Sequence, residues 1–172
     1  MTKYYTGIGS RETPKQILKY MENVASKLVG LGYILRSGGA DGADSAFEKG
    51  CDKANGRKEI YIPWHRFNNR IEDIENGVII PNLPKGAKLA ATVHYAFDNL
   101  PLSFKKLHSR NPFQLLGQNL KVKSEFVICW TRNRKEVGGT ATNIKLAIQY
   151  KVPVYNLAIS SDKLKFEKEV LK

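Results

Sequence analysis

Three short stretches of this 172-residue chain combine glycine with hydroxyl, acidic or guanidinium side chains at spacings that suit an anion. They are Gly7-Ile8-Gly9-Ser10-Arg11, Ser37-Gly38-Gly39-Ala40-Asp41-Gly42-Ala43-Asp44 and Gly138-Gly139-Thr140-Ala141-Thr142. Each leads into a helical pattern, and at a helix start the free amides and the macrodipole favour negative charge. Glycine lets backbone approach a phosphate closely, and Ser10, Ser37, Thr140 and Thr142 offer hydroxyl donors. The candidate phosphate-binding residues are therefore Gly9, Ser10, Arg11, Ser37, Gly38, Gly39, Ala40, Asp41, Asp44, Gly138, Gly139, Thr140 and Thr142. Arg110 and Asn111 join them from the compact polar cluster His108-Ser109-Arg110-Asn111-Pro112. Arg11, at a strand end, is placed to hold a phosphate bidentately. Taken singly, a Gly-Gly turn after a strand is more often turn geometry than a phosphate cradle; three at equivalent ends of one sheet favour the cradle. The spacing matches neither GxGxxG nor GxxxxGK[ST], and the missing P-loop lysine argues against an ATPase.

Two carboxylates, Asp44 and Glu48, are the candidates for catalysis. Asp41 and Asp44 flank Gly42-Ala43 and can bind a ribose diol, hold a metal or act as a base. Their competing role is helix capping, which contributes about 0.3–1 kcal/mol. Glu48 falls one turn after Asp44 on the same helical face, where it joins the pocket or is simply solvated. Asn111-Pro112 reads as a helix start in its own right. His65, His94 and His108 show no metal-ligand spacing, and Cys51 and Cys129 read as two separate buried thiols, so neither metal nor cofactor is expected.

The elements that must position these loops alternate. An apolar run over Tyr4–Gly9 is followed by Thr13-Pro14, an N-cap with proline at the first helical position. A helical pattern then runs through Ile17, Leu18, Met21, Val24, Ala25 and Leu28. Strand Tyr33–Leu35, a helix carrying Ala46, Phe47 and Cys51, and strand Lys58–Ile62 follow. Such β-loop-α repetition predicts α/β architecture: a Rossmann-like parallel sheet with right-handed crossovers and helices on both faces. Residues 65–100 read as a loop-rich insertion ending in a helix over Lys88–Phe97, with short helices over Ser103–Leu107 and Pro112–Leu120. Glu125–Trp130 is an unbroken apolar run of the kind a central parallel strand shows. A further helix through Ile144, Leu146, Ala147 and Tyr150, strand Val152–Asn156 and an amphipathic tail helix over Ser161–Lys172 complete one expected domain, 1–172.

The hydrophobic fraction of 42% and charged fraction of 26% are ordinary for a folded domain, so disorder is not expected. A net charge of +12 and a pI near 9.7 point to an anionic partner, with plain solubility charge as the alternative. The stretch from Pro101 to Lys135 is the densest, with Glu125 as its only acid among Lys105, Lys106, Arg110, Lys121, Lys123, Arg132, Arg134 and Lys135. No apolar stretch approaches a membrane span, and Met1–Tyr5 leads directly into a strand without a signal-like apolar segment. A cytoplasmic protein without membrane attachment is expected; its amphipathic helices allow homo-oligomers without requiring them.

The segments Gly7–Arg11, Leu28–Gly50, His108–Trp130 and Gly138–Ala158 together resemble the SLOG superfamily of Rossmann-like proteins, with Ser37–Asp44 as the most specific part. Within it the chain looks most like phage-encoded proteins of the DNA recombination-mediator A type, which would place it in a host cytoplasm. More distantly it resembles the lysine-decarboxylase-like phosphoribohydrolases. The resemblance implies a nucleotide or single-stranded nucleic acid at the glycine loops. As alternatives it implies hydrolysis of a nucleotide N-glycosidic bond, or sensing or sequestering of a nucleotide-derived signal. The hydrolytic relatives carry glutamate where this chain has Lys145, leaving Asp44 or Glu48 to serve. In the DNA-processing pattern Phe47 stands in place of histidine.

Overall fold

The computed structural model describes residues 2–132 and 138–172; Arg134 and Lys135 of the basic stretch lie outside them. The elements are β1 (Lys3–Gly7), α1 (Lys15–Gly30), β2 (Tyr33–Ser37), α2 (Ala43–Lys53), β3 (Lys58–Tyr61), β4 (Val78–Ile79), α3 (Leu83–Val93), α4 (Leu102–Leu116), β5 (Phe126–Cys129), α5 (Gly138–Gln149), β6 (Val154–Asn156) and α6 (Ser160–Glu169). Six strands form one sheet in the order β4-β3-β2-β1-β5-β6. Every neighbouring pair is parallel.

The expected α/β architecture is the one found, and its layering follows from the side-chain period of two along each strand. Tyr5, Leu35, Phe126 and Ile128 face one side, against Met21, Val24 and Leu28 of α1, Phe47 of α2 and Phe166 of α6. Val127 and Cys129 face the other, against Leu115 and Leu116 of α4 and Ile144, Leu146 and Ala147 of α5. Burial on both faces is why β5 lacks polar alternation. Among the described residues no helix is long and apolar enough to cross a membrane.

Several local expectations are corrected. Residues 65–100 are more than loop: β4 adds a sixth strand beside β3. The helix there is Leu83–Val93, starting earlier than Lys88 because Asn82 caps it, its side chain accepting from the Lys85 amide, with proline in the first turn. The two short helices expected around His108 are one helix, α4, with Pro112 inside it. Asn111 therefore caps nothing. Pro112 cannot donate to the His108 carbonyl, a defect costing about 3 kcal/mol. Residues 108–116 are all buried, and that packing overrides the local preference for a break. At α1 the cap position belongs to Pro14; the Thr13 hydroxyl donates to the Ser10 carbonyl instead.

Candidate functional site

Chain order reverses at β1. The connections from β1 lead outward through β2, β3 and β4, and the chain returns on the other side of β1 as β5. That reversal makes the crevice at the carboxyl ends of β1 and β5 the place where ligands of open α/β sheets bind.

The loops meet there, but they are not equivalent. The Ser10 amide donates to the Trp130 carbonyl (3.1 Å), and the Ala43 amide to the Ser10 carbonyl (3.4 Å). A Cβ on Gly9 would lie 2.7 Å from the Ala43 Cβ, and one on Gly42 would lie 2.7 Å from the Arg11 Cα. At Gly42 a φ of +78° also requires glycine. These glycines seat backbone on backbone. The space beside Gly38 is filled by the Arg110 guanidinium and the Gln114 amide. By contrast Gly138 has nothing within 4 Å of its virtual Cβ, and Gly139 meets only Asn111 Nδ2 at 3.8 Å. The turn that opens α5 is the one left accessible.

Asp44 joins the first two loops. Its carboxylate accepts from the Gly9 and Ala40 amides, both at 3.3 Å. The competing role, a side-chain cap, is played by neither aspartate: Gly42 occupies the cap of α2 without any side-chain cap bond, Asp44 lies in the first turn, and Asp41 is exposed. Burial raises the Asp44 carboxyl above its usual range, while Arg110 and the amides of Ala40, Gly9 and Gly38 pull it down. Glu48 does not join it. Its carboxylate is paired with Arg70, at 2.5 Å, and Lys58, at 3.1 Å.

Arg110 reaches the crevice from α4 and is 6% exposed. Its Nη1 donates to Asn111 Oδ1 (3.1 Å), and its buried Nε has no partner. Among the described residues no carboxylate stands within ion-pair distance of it. Burial lowers its pKa to about 10, against the pull of Asp44 and with a further push from Arg11, so it is cationic at neutral pH. A charge in such surroundings is costly unless something neutralises it.

The remaining candidates divide by what they touch. Asn111 Nδ2 donates to the Gly139 carbonyl (3.0 Å), tying α4 to the open turn. Thr142 is buried against His108 Nδ1 (2.7 Å), and the Ser37 hydroxyl donates to the Gly7 carbonyl (2.6 Å), so both are engaged within the fold. Ser10 Oγ accepts from the Glu12 amide at 3.1 Å. Arg11 is exposed and Thr140 half-buried.

Sequence reasoning missed the segment that closes the crevice beside Gly39. Arg66, Asn68 and Asn69 all have left-handed backbone there, a conformation costing about 1–3 kcal/mol per non-glycine residue that persists only when its surroundings enforce it. Asn68 Nδ2 donates to the Gly39 carbonyl (3.1 Å) and Arg70 Nε to Glu48 (2.9 Å), while the buried Phe67 ring lies 5.9 Å from the Arg110 guanidinium carbon. The only sequence signal was asparagine itself, which tolerates such φ values.

His108 supplies a pH prediction. Burial, with His94 and Arg110 nearby, lowers it from 6.5 to about 4. The unfolded chain therefore binds the extra proton first, and stability is lost as pH falls from 6.5 toward 4. Melting temperatures across that range should decline in the wild type and decline less in His108→Gln.

No family model matches the sequence, and no curated protein sequence does. Solved structures do match. The molybdenum cofactor carrier protein of Chlamydomonas reinhardtii aligns over 99% of this chain and 84% of its own, with 17% identity and a TM-score of 0.54. DNA processing protein A from Helicobacter pylori, whose structure describes a single-stranded DNA binding mode, aligns over 99% of this chain and 74% of its own, at 16% identity and TM-score 0.56. The fold is the Rossmann-like α/β fold that these structures share. On that scaffold the Asp44 carboxylate and the Arg110 guanidinium influence one another electrostatically, and Arg110 packs against Gly38. Among the described residues no cluster of His, Cys, Asp or Glu could hold a metal ion.

Proposed function

We propose that this chain binds the phosphate of a nucleotide or of a single-stranded nucleic acid at the crevice. Arg110 serves as the counter-charge and the Gly138–Thr140 turn as the amide donor. The observation that carries this reading is the buried, incompletely partnered guanidinium: among the described residues the one carboxylate acting on it, Asp44, is already held by two backbone amides. A phosphate at the open turn would complete the electrostatics without rearranging the loops. The single-stranded DNA binding of the Helicobacter neighbour supports the same class of ligand.

Calorimetric titration with nucleoside monophosphates and with an oligonucleotide, at several salt concentrations, tests it. A strand held through several phosphates loses affinity with a log–log salt slope of about −0.7 per contact; a mononucleotide is far less sensitive. Absence of binding by either ligand at low salt would falsify the reading.

A hydrolytic reading has one observation in its favour, the buried Asp44 carboxylate held by the Gly9 and Ala40 amides beside the crevice. In it Asp44 stabilises or attacks the developing ribosyl cation during N-glycosidic cleavage; Glu48, ion-paired twice, is not free to do so. Base release from a nucleotide panel, abolished in a folded Asp44→Asn variant, is the result it requires.

A further inference from the structure

The stretch that builds β4, α3 and α4 is nearly free of negative charge. From Asn76 to Ser124, a span that includes β4, α3 and α4, Asp98 is the only acid, against Lys85, Lys88, Lys105, Lys106, Arg110, Lys121 and Lys123. Two aromatic rings stand out of this stretch: Tyr95 is 98% exposed and Phe104 53%. Tyr95 lies nearly parallel to His94, centroids 6.2 Å apart at 19°. His94 meets His108 edge-on at 4.6 Å, and His108 holds Thr142 in α5. Phe104 precedes His108 by one helical turn, on the same face of α4. The ledge thus runs outward from the open glycine turn at the start of α5.

We propose that Tyr95 and Phe104 form a stacking platform for the bases of a single-stranded nucleic acid whose phosphates follow the lysines of α3 and α4. The proposal rests on the phosphate-binding reading of the adjoining crevice. Every base has a π-face, so an exposed ring backed by a second ring takes bases with little sequence preference, and interleaved cations hold the backbone. A protein partner of ordinary composition would ask for a contiguous apolar patch. Here the rings are set among cations on a surface almost without acids, which is complementary to a polyanion.

Fluorescence anisotropy with a labelled oligothymidylate of about 12 nucleotides tests the platform on the full chain. Tyr95→Ala and Phe104→Ala should each weaken binding by about tenfold, with Tyr95→Phe close to wild type. Their melting temperatures and salt slopes should be unchanged, because the side chains are exposed and uncharged. Nucleoside monophosphate affinity should also hold. Undiminished oligonucleotide binding in both alanine variants overturns the platform, as does self-association of the wild type that Tyr95→Ala abolishes. If monophosphates bind and the oligonucleotide does not, the platform falls and the crevice stands. If the oligonucleotide depends on the rings but not on Arg110, the crevice reading fails and the platform stands.

Discussion

Arg110→Met is expected to melt higher than the wild type and to bind nucleotide at least about tenfold more weakly. Both effects come from one cause. Removing a buried charge that lacks a paired counter-charge relieves its desolvation cost, several kcal/mol per ion. Arg110 fits that description: its Nε is unpartnered and, among the described residues, the one carboxylate acting on it is shared with backbone amides. For a chain of this length, each kcal/mol shifts the melting temperature by about 2–4 °C, so a rise of several degrees should be measurable by calorimetry. The loss in affinity follows from removing a charge-assisted bond, which contributes about 1.5–3 kcal/mol. Inorganic phosphate should raise the wild-type melting temperature and leave that of Arg110→Met unchanged, since a ligand stabilises only the state that binds it. A variant that melts lower would mean that Asp44 alone satisfies the guanidinium.

Gly86→Ala should be strongly destabilising although it lies outside the crevice. Helices α3 and α4 cross there so closely that a Cβ would overlap the Ser109 carbonyl oxygen and lie 2.6 Å from Phe113 Cε2. Backbone cannot rotate aside as a side-chain tip can, so the helices must separate, at a cost of about 3 kcal/mol and about 10 °C in melting temperature. Arg110 follows Ser109 directly, so phosphate affinity should fall as α4 shifts. Gly30→Ala is the control. Nothing lies within 4 Å of its virtual Cβ at the end of α1, and it should be neutral or slightly stabilising.

The layout of the sheet was readable because each strand and helix carries its own period, and the uninterrupted β5 run announces burial on both faces. The interior of α4 was not. His108-Ser109-Arg110-Asn111-Pro112 has the composition of a turn, and only its packing between sheet and helices makes it a buried helix. The three glycine turns also looked alike, because a glycine that clears space for neighbouring backbone reads the same as one that clears space for a ligand. Gly9 and Gly42 belong to the first kind and Gly38 makes room for the Arg110 and Gln114 side chains, whereas Gly138 and Gly139 are open. Asp44 was identified from its place in the Gly-Ala-Asp pattern, but its partners, the Gly9 and Ala40 amides, depend on a long-range meeting of loops that no local pattern encodes.

Strand β1 is the first to be synthesised and ends at the middle of the sheet, with Thr6 beside both Arg36 and Val127. Its pairing with β2 is available as soon as α1 is made. The opposite edge waits for β5, far along the chain, and stays an unpaired apolar template until then. Nascent chains stopping short of Phe126 should therefore associate edge to edge, whereas the finished sheet ends in β4 and β6, two strands too short to recruit another. Late closure of a central strand also makes this a slow-folding topology for its size. Aggregation during synthesis, more than instability of the finished molecule, is then what selection on this sequence has to restrain.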